Sequence, residues 1–281
     1  MPRGTDIPAL THQSLRSLFV EMFFGETLLS SGTAFVVHTK KGPYLITNRH
    51  NVTGRHQETD QPLNSNGGIP DSVLITHHRS GAVGHFVKRK QLLLRDEEPL
   101  WIEHPVLKAK ADFAALALTE LQGVDLYPYP VPDKPSEVLL GPSETVSVIG
   151  FPFALKASGG FAVWSTGFVA SEPDFDYNDL PVLLIDCRSR QGQSGSPVVL
   201  YKNGGSLALK NGSTAMHAGP FSELVGIYSG RIHKDSDLGM VWKAKVIREL
   251  ITFIENPANW ITAAKLQYSL SSITTGGTLN W

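Results

Sequence analysis

A serine flanked by glycines is the part of the sequence best suited to chemistry. The segment Gln191-Gly192-Gln193-Ser194-Gly195-Ser196-Pro197 is followed by the apolar run Val198-Val199-Leu200. Glycines on both sides permit a tight turn that exposes the hydroxyl and leaves backbone N–H groups free to face a developing oxyanion. A Gly/Ser-rich hairpin turn has the same composition, so this segment alone leaves both interpretations open.

A histidine and an aspartate upstream could activate that serine. A serine hydroxyl is a weak nucleophile that needs a neighbouring base, usually a histidine that is itself oriented by a carboxylate. The segment Tyr44-Leu-Ile-Thr-Asn-Arg-His50 ends a predicted strand with a histidine, and Asp112 opens the predicted strand Phe113–Leu118. The chain therefore offers His50, Asp112 and Ser194 in that order.

These motifs and their flanks resemble the trypsin-like (chymotrypsin-fold) serine peptidases, most closely the bacterial branch related to the HtrA proteases. The resemblance covers roughly residues 17–256. The matching segments are Ser31-Gly-Thr-Ala-Phe-Val36, Leu45-Ile-Thr-Asn-Arg-His50, Asp112-Phe-Ala-Ala-Leu116, Val148-Ile-Gly-Phe-Pro-Phe153, Ser165-Thr-Gly-Phe-Val169, Gly192-Gln-Ser-Gly-Ser-Pro197 and Val225-Gly-Ile-Tyr-Ser-Gly230. Two residues depart from the family pattern: Gln193 replaces the familiar Asp or Asn, and Ser196 replaces a glycine.

The resemblance implies a serine endopeptidase that works through an acyl-enzyme. In this template Ser194 attacks the scissile carbonyl, His50 takes and returns the proton, and Asp112 holds the imidazole tautomer. The oxyanion hole is expected at Gly192 and Ser194, with Gln193 between them. No cofactor and no metal ion are expected.

The resemblance also places the pocket for the P1 residue, the residue on the acyl side of the cleaved bond. Its base is expected from Cys187, Arg188, Ser189 and Arg190, and its walls and cleft strand from Tyr228, Ser229, Gly230 and Gly239. None of these is acidic, so a preference for Lys or Arg at P1 is not expected. An inward Arg188 would favour an acidic P1 residue, and an outward one would favour a small or medium apolar residue. The apolar option is preferred because charged side chains are more often solvated than buried.

Short β-rich segments separated by turn residues predict an all-β chain. The proline-rich stretch around 126–143 is either a linker between two β subdomains or a long surface loop within one sandwich. The resemblance favours two antiparallel β-barrels followed by a C-terminal helix. The expected divisions are an N-terminal segment 1–16, a first barrel 17–125, a linker 126–143, a second barrel 144–243, a helix 244–257 and a tail 258–281. A further short helix is expected near Leu10–Leu18.

Composition limits the partners and the compartment. The formal net charge is −1, which provides no field for nucleic acid or an acidic membrane surface. A single cysteine cannot form an internal disulfide, and no stretch approaches the roughly 20 apolar residues of a transmembrane helix. The expectation is a cytoplasmic protein that acts on protein or peptide substrates, with a regulatory or activating protein partner as a further possibility. No PDZ-like module is expected, because only roughly 25 residues follow the helix.

A second class of function remains open at this point. A catalytically silent or latent trypsin-like domain could bind peptides in the cleft by strand addition along residues 228–230. The presence of His50, Asp112 and Ser194 together argues against permanent loss of activity, since a pure binder needs none of their chemistry.

Overall fold

A computed structural model describes residues 10–258, so the first nine residues and all but the first residue of the predicted tail 258–281 lie outside the described residues. The strands between residues 17 and 125 are mostly one antiparallel sheet. They are β1 (Ser17–Phe24), β2 (Thr27–Thr39), β3 (Gly42–Thr47), β4 (Ser72–Arg79), β5 (Ala82–Leu92), β6 (Leu94–Arg95), β7 (Glu98–Pro99), β8 (Trp101–Glu103), β9 (Ala114–Ala117) and β10 (Val124–Asp125).

Eight of these strands form the sheet, in the order β10-β4-β1-β2-β3-β9-β8 with β5 paired to β4, while β6 and β7 pair only with each other. One face of the central strands meets in a buried apolar core. That core contains Leu18, Val20, Met22, Ala34, Val36, Leu45, Val73, Ile75, Leu93, Ala114 and Leu116. Alternate residues from each strand fill this interior, which is the packing expected of a small barrel.

The second half of the chain forms a closed six-stranded barrel in the order β11-β12-β13-β18-β17-β14. Its own core includes Val146, Val148, Leu183, Ile185, Val198, Leu200, Tyr228 and Val241. The strands of this half are β11 (Thr145–Gly150), β12 (Val163–Val169), β13 (Val182–Asp186), β14 (Pro197–Lys202), β15 (Gly205–Ala208), β16 (Thr214–His217), β17 (Phe221–Arg231) and β18 (Leu238–Lys243), of which β15 and β16 form a separate hairpin.

The two halves pack against each other through a third apolar cluster. Phe19, Phe35 and Phe113 of the first half lie in one cluster with Ile149 and Trp242 of the second. The side chain of Ser17 donates a hydrogen bond across the contact to the carbonyl of Ile149 at 2.8 Å. The all-β fold with two β units that the resemblance implied is therefore confirmed.

The predicted C-terminal helix is confirmed as α2 (Ala244–Glu255), and α1 (Arg49–Thr53) is a single turn after β3. Val246, Leu250 and Ile254 recur every four residues on one face of α2 and are buried in the cluster between the halves. Pro257 then follows the last helical turn. No helix among residues 10–258 is long and apolar enough to span a membrane.

The helix expected near Leu10–Leu18 is wrong. A 3₁₀ turn occupies only His12–Leu15, and β1 begins at Ser17. Leu18, Val20 and Met22 enter the core of the first half, while Phe19 on the opposite face enters the cluster between the halves. Because both faces of β1 are buried, its sequence lacks the period-two alternation that would have indicated a strand. Further 3₁₀ turns lie at Lys108–Lys110, Pro152–Ala154 and Ser158–Gly160.

Candidate active site

His50 lies on the short helix α1 at the end of β3, at the border of the two halves. Gly54 ends this turn with φ +64° and donates its N–H to the carbonyl of His50 at 3.0 Å. Asn48, just before the helix, is buried and donates its amide to the carbonyl of Asp112 at 2.6 Å. The backbone of the histidine turn is thus fixed to the backbone of the aspartate segment.

Asp112 is buried and orients the His50 ring directly. Its Oδ2 lies 2.7 Å from His50 Nδ1, and its Oδ1 accepts the backbone N–H of His50 at 3.0 Å. The hydroxyl of Ser229 donates to the same Oδ2 at 2.5 Å. An ionised carboxylate can only accept, so the Nδ1 proton lies on the imidazole and Nε2 carries the free lone pair.

The charge of Asp112 alters the proton affinity of the ring. Burial opposes protonation of His50, but the carboxylate of Asp112 and its hydrogen bond outweigh burial and raise the pKa of His50 above its ordinary value. A base with a raised pKa accepts a proton more readily, and its protonated form has an adjacent counter-charge.

Ser194 lies in the turn before β14, and backbone contacts hold this turn from two sides. Its carbonyl accepts the N–H of Thr33 at 2.9 Å, and the next residue, Gly195, donates its N–H to the carbonyl of Tyr228 at 3.0 Å. Gly195 has φ +86°, and a Cβ there would lie 2.0 Å from the Thr33 carbonyl oxygen. Glycine is therefore required at this position for both conformation and space.

The hydroxyl of Ser194 faces the cleft strand. It donates to the carbonyl of Ser229 at 3.5 Å, and no hydrogen bond between Ser194 and His50 exists among the described residues. The carbonyl of Ser194 also accepts from the amide of Asn51 at 3.3 Å, which ties the histidine helix to the serine turn. Catalytic hydrogen bonds often tighten only when substrate binds, so the missing Ser194–His50 hydrogen bond is compatible with proton transfer between the two residues in the substrate complex.

Two backbone N–H groups next to Ser194 are free. Within residues 10–258, neither the N–H of Gly192 nor that of Ser194 has a hydrogen-bond partner. The Gly192 carbonyl is turned away from them, since it accepts the hydroxyl of Thr33 at 2.9 Å. The N–H of Gln193 differs, because it donates to the carbonyl of Arg190 at 3.2 Å. Of the three residues expected at the oxyanion hole, two present a free donor.

Gln193 contributes through its side chain instead. The side chain is fully buried, its Oε1 accepts the backbone N–H of Arg190 at 2.7 Å, and its Nε2 donates to the hydroxyl of Ser165 at 2.8 Å. The neutral amide of Gln193 thus links the serine turn to β12, and both its oxygen and its nitrogen form a hydrogen bond. These two partners account for a side chain that is neutral and one methylene longer than the Asp or Asn that the family pattern usually has at this position.

Ser196, the second departure from the family pattern, fits because β11 leaves room for it. Ser196 is fully buried, and a Cβ placed on Gly150 would lie 2.0 Å from its Oγ. The same Cβ would lie 2.7 Å from the hydroxyl of Thr33. Gly150 therefore supplies the space that the extra side chain needs.

The residues expected to form the P1 pocket divide into buried and exposed groups. Cys187 and Ser189 are buried, whereas Arg188 and Arg190 are exposed. Arg188 is thus directed to solvent, and the acidic-P1 option that depended on an inward guanidinium has no support from its position. Burial and the nearby Asp186 and Asp237 raise the pKa of Cys187 to about 11, so its thiol is not an activated nucleophile.

Two open cavities flank His50, and sequence reasoning did not identify most of their lining. One is lined by His50 and Ser194 together with Leu29, Asn64 and Pro70. The other borders His50 and Asp112 and includes residues such as Tyr177, Arg231 and Met240. Leu63 lines both cavities and is half-exposed between them. Part of this lining comes from the loop at residues 54–70 after His50, and no motif in the sequence marked these residues.

A comparison with models of known protein families identifies the family of the chain. The family model described as "Trypsin-like peptidase domain" matches residues 32–209, which is more than half of the chain. No curated protein matches the chain.

Solved structures with a similar fold include three proteases. The active form of the Rv3671c protease from M. tuberculosis is 16% identical, with coverage of 85% of this chain and 81% of that chain and a TM-score of 0.46. The serine endoprotease from Yersinia pestis is 17% identical, with coverage of 88% and 68% and a TM-score of 0.48. The HtrA-type protease AlgW is 16% identical, with coverage of 88% and 64% and a TM-score of 0.47. On the extent of the family match, the chain belongs to the trypsin-like peptidase domain family and is a serine endopeptidase.

Proposed function

We propose that this peptidase cleaves peptide bonds through an acyl-enzyme formed on Ser194. Nε2 of His50 removes the hydroxyl proton as Oγ bonds to the scissile carbonyl carbon. The same proton then passes to the leaving amine as the C–N bond breaks. Water next attacks the ester carbonyl and gives its proton to Nε2 of His50. As the C–Oγ bond breaks and the acid leaves, His50 passes that proton to Oγ and so restores the serine hydroxyl.

The backbone around the serine stabilises the negative oxygen of each tetrahedral intermediate in this proposal. The donors are the free N–H groups of Gly192 and Ser194. Because the turn already holds their backbone in place, no reorganisation energy is needed during the reaction. The imidazolium that forms in the same step is paired with Asp112, whose carboxylate is also held by Ser229.

Substrate is proposed to bind as an added strand along residues 229–231 of β17. The pairing of β17 with β14 ends at Ile227, while its pairing with β18 continues to Arg231. The other edge of this short stretch is thus available to an extended peptide next to Ser194. A small or medium apolar P1 residue is proposed, because the exposed Arg188 leaves only Cys187 and Ser189 beneath the cleft.

One observation carries the proposal. Asp112 accepts both the backbone and the ring of His50, and the N–H groups beside Ser194 lack partners within the described chain. A binding domain without chemistry needs neither an oriented imidazole nor two unpaired N–H groups at a serine. Unpaired donors cost free energy, so their presence favours the active peptidase over the silent binding domain.

Mapping of cleavage sites tests this proposal. An unstructured protein is incubated with the wild-type chain, with Ser194→Ala and with Ser206→Ala, which changes an exposed serine on the β15–β16 hairpin. We expect new internal N-termini with the wild type and Ser206→Ala, and none with Ser194→Ala. Cleavage by Ser194→Ala at the wild-type rate, or the absence of cleavage by all three proteins, would contradict the proposal.

A further inference from the structure

The residues expected to contact a P1 side chain lie in three segments close to Ser194 in the fold. These are residues 187–190 before the serine turn, Tyr228–Gly230 on β17 and Gly239 on β18. Backbone bonds fix Tyr228 against the serine turn, because its carbonyl accepts the N–H of Gly195 at 3.0 Å and its N–H donates to the carbonyl of Ser196 at 2.9 Å. The side chain of Tyr228 therefore starts directly beside the nucleophile.

The phenol ring of Tyr228 fills the space between those segments. Tyr228 is only 2% exposed, and its hydroxyl is hydrogen-bonded to the hydroxyl of the fully buried Ser189. A Cβ added to Gly239 would lie 2.5 Å from Cε2 of the ring, so the ring packs flush against the β18 backbone. Cys187 shares the same buried cluster. The ring is thus enclosed by the residues that were expected to contact substrate.

The cavities around the catalytic residues agree with a filled pocket. Three of them border His50, Asp112 or Ser194, and Cys187, Ser189, Tyr228 and Gly239 line none of the three. A P1 side chain that reached Ser189 would have to displace the ring of Tyr228. Displacement would break a buried hydrogen bond and leave the Ser189 hydroxyl without its partner, which is unfavourable.

We propose that Tyr228 determines specificity by closing the P1 pocket, so that the enzyme cleaves only after Gly or Ala. The assignment rests on the proposed function and narrows its P1 preference from small or medium residues to the smallest ones. The depth of the pocket is set by the Tyr228–Ser189 pair, because Gly230 and Gly239 have no side chain that could restrict it.

Peptidyl diphenyl phosphonates that differ only in the P1 residue test this assignment, because they bond covalently to an activated serine. Rates of adduct formation are measured by intact mass for Ala, Val, Leu and Phe at P1. With the wild type, we expect the Ala compound to react at least tenfold faster than the Leu and Phe compounds. In Tyr228→Val, the Leu and Phe compounds should gain at least tenfold relative to Ala.

Two variants keep the result decisive. Tyr228→Phe retains the ring without its hydroxyl and should retain the wild-type order, and Tyr228→Leu serves in place of Tyr228→Val if the latter fails to fold. Equal reactivity of wild type toward Ala and Phe, or an unchanged order in folded Tyr228→Val or Tyr228→Leu, would overturn the assignment.

A fluorophosphonate without a P1 group is run in parallel. If that reagent labels Ser194 while the P1 order fails, only the P1 assignment is wrong, whereas no labelling of the wild type overturns the proposed function and this assignment together.

Discussion

The Asp112 carboxylate concentrates three hydrogen bonds on one buried group. It accepts the ring and the backbone N–H of His50 and the hydroxyl of Ser229. The ring is thereby fixed in one tautomer and its pKa is raised. The ability of His50 to act as a base should therefore depend on the negative charge of Asp112. A neutral side chain of the same shape should not replace it.

Replacement of Asp112 by Asn should lower kcat by about 10³- to 10⁴-fold, because the amide no longer imposes the tautomer with a free Nε2. His50 must be neutral to act as a base, so activity rises with pH through its pKa. Without the carboxylate that pKa falls, and the acid limb of kcat/KM should move to lower pH. The measurement is kcat/KM against pH for the wild type, Asp112→Asn and the exposed-site control Asp133→Asn. An unshifted acid limb in Asp112→Asn would contradict the assigned electrostatic role.

Sequence motifs led to His50, Asp112 and Ser194 as the predicted triad, and the structure places the first two in contact. The motifs did not predict how Gln193 acts, because its partners Ser165 and Arg190 are set by the packing of β12 against the serine turn. The sequence also did not predict that Tyr228 fills the P1 pocket. A tyrosine on an apolar strand gives no sign of the direction in which its ring points.

At the level of elements, the serine turn depends on the strands that surround it. The amide of Gln193 joins the turn to β12 and to the segment before it, while Thr33 of β2 holds the carbonyl of Gly192. These contacts fix the backbone of the turn that carries the two free N–H groups. Loss of the amide should therefore affect the oxyanion hole without removing any catalytic atom.

Replacement of Gln193 by Leu keeps the volume of the side chain and removes both hydrogen bonds. We expect kcat to fall by about 10²-fold, close to the loss of one oxyanion donor, with a small change in KM. The exposed-site control Gln122→Leu should retain full activity. Steady-state kinetics measure the split, and an unchanged kcat in folded Gln193→Leu would show that the turn does not need its amide.

The pair Gly150 and Ser196 gives a second test of the same region. Gly150→Ala brings a Cβ within 2.0 Å of Ser196 Oγ and 2.7 Å of Thr33 Oγ1, and overpacking of this kind costs about 1–3 kcal/mol of the free energy of unfolding. Ser196→Gly added to Gly150→Ala should recover part of that loss. Urea denaturation of the single and double variants measures the coupling, and strictly additive losses would refute the contact.

For the molecule as a whole, the sequence was sufficient to predict the fold class. It was not sufficient to predict where β1 begins or how the two halves contact each other. Turn-separated β segments and the ordered motifs led to two β units and a C-terminal helix. The strand β1 was assigned in part to a helix because it is buried on both faces, by the first core and by the cluster between the halves. Such a contact depends on how the two halves pack, which local periodicity does not encode.

Acid stability is a property of the whole fold and depends on His77 in β4. Burial, with the nearby His78 and Arg89, lowers the pKa of His77 to about 4, and neither ring nitrogen has a hydrogen-bond partner among the described residues. The unfolded chain takes up this proton near pH 6.5, about 2.5 units above the folded value. Stability should therefore fall as the pH drops from about 6.5 to 4, by up to about 3 kcal/mol.

His77→Phe tests this by removing the titrating group while filling its space. Urea denaturation between about pH 4 and 8 should give a free energy of unfolding that depends less on pH in the variant than in the wild type. The exposed-site control His85→Phe should keep the wild-type slope. Equal slopes in His77→Phe and the wild type would exclude His77 as the source.

A fluorophosphonate bonds covalently to an activated serine, so it tests directly whether Ser194 is a nucleophile. Intact mass is measured after incubation of the wild type, Ser194→Ala and His50→Ala with the reagent. We expect one adduct on the wild type, located at Ser194, and none on either variant. A folded wild type without an adduct, or an adduct of equal yield on His50→Ala, would contradict it.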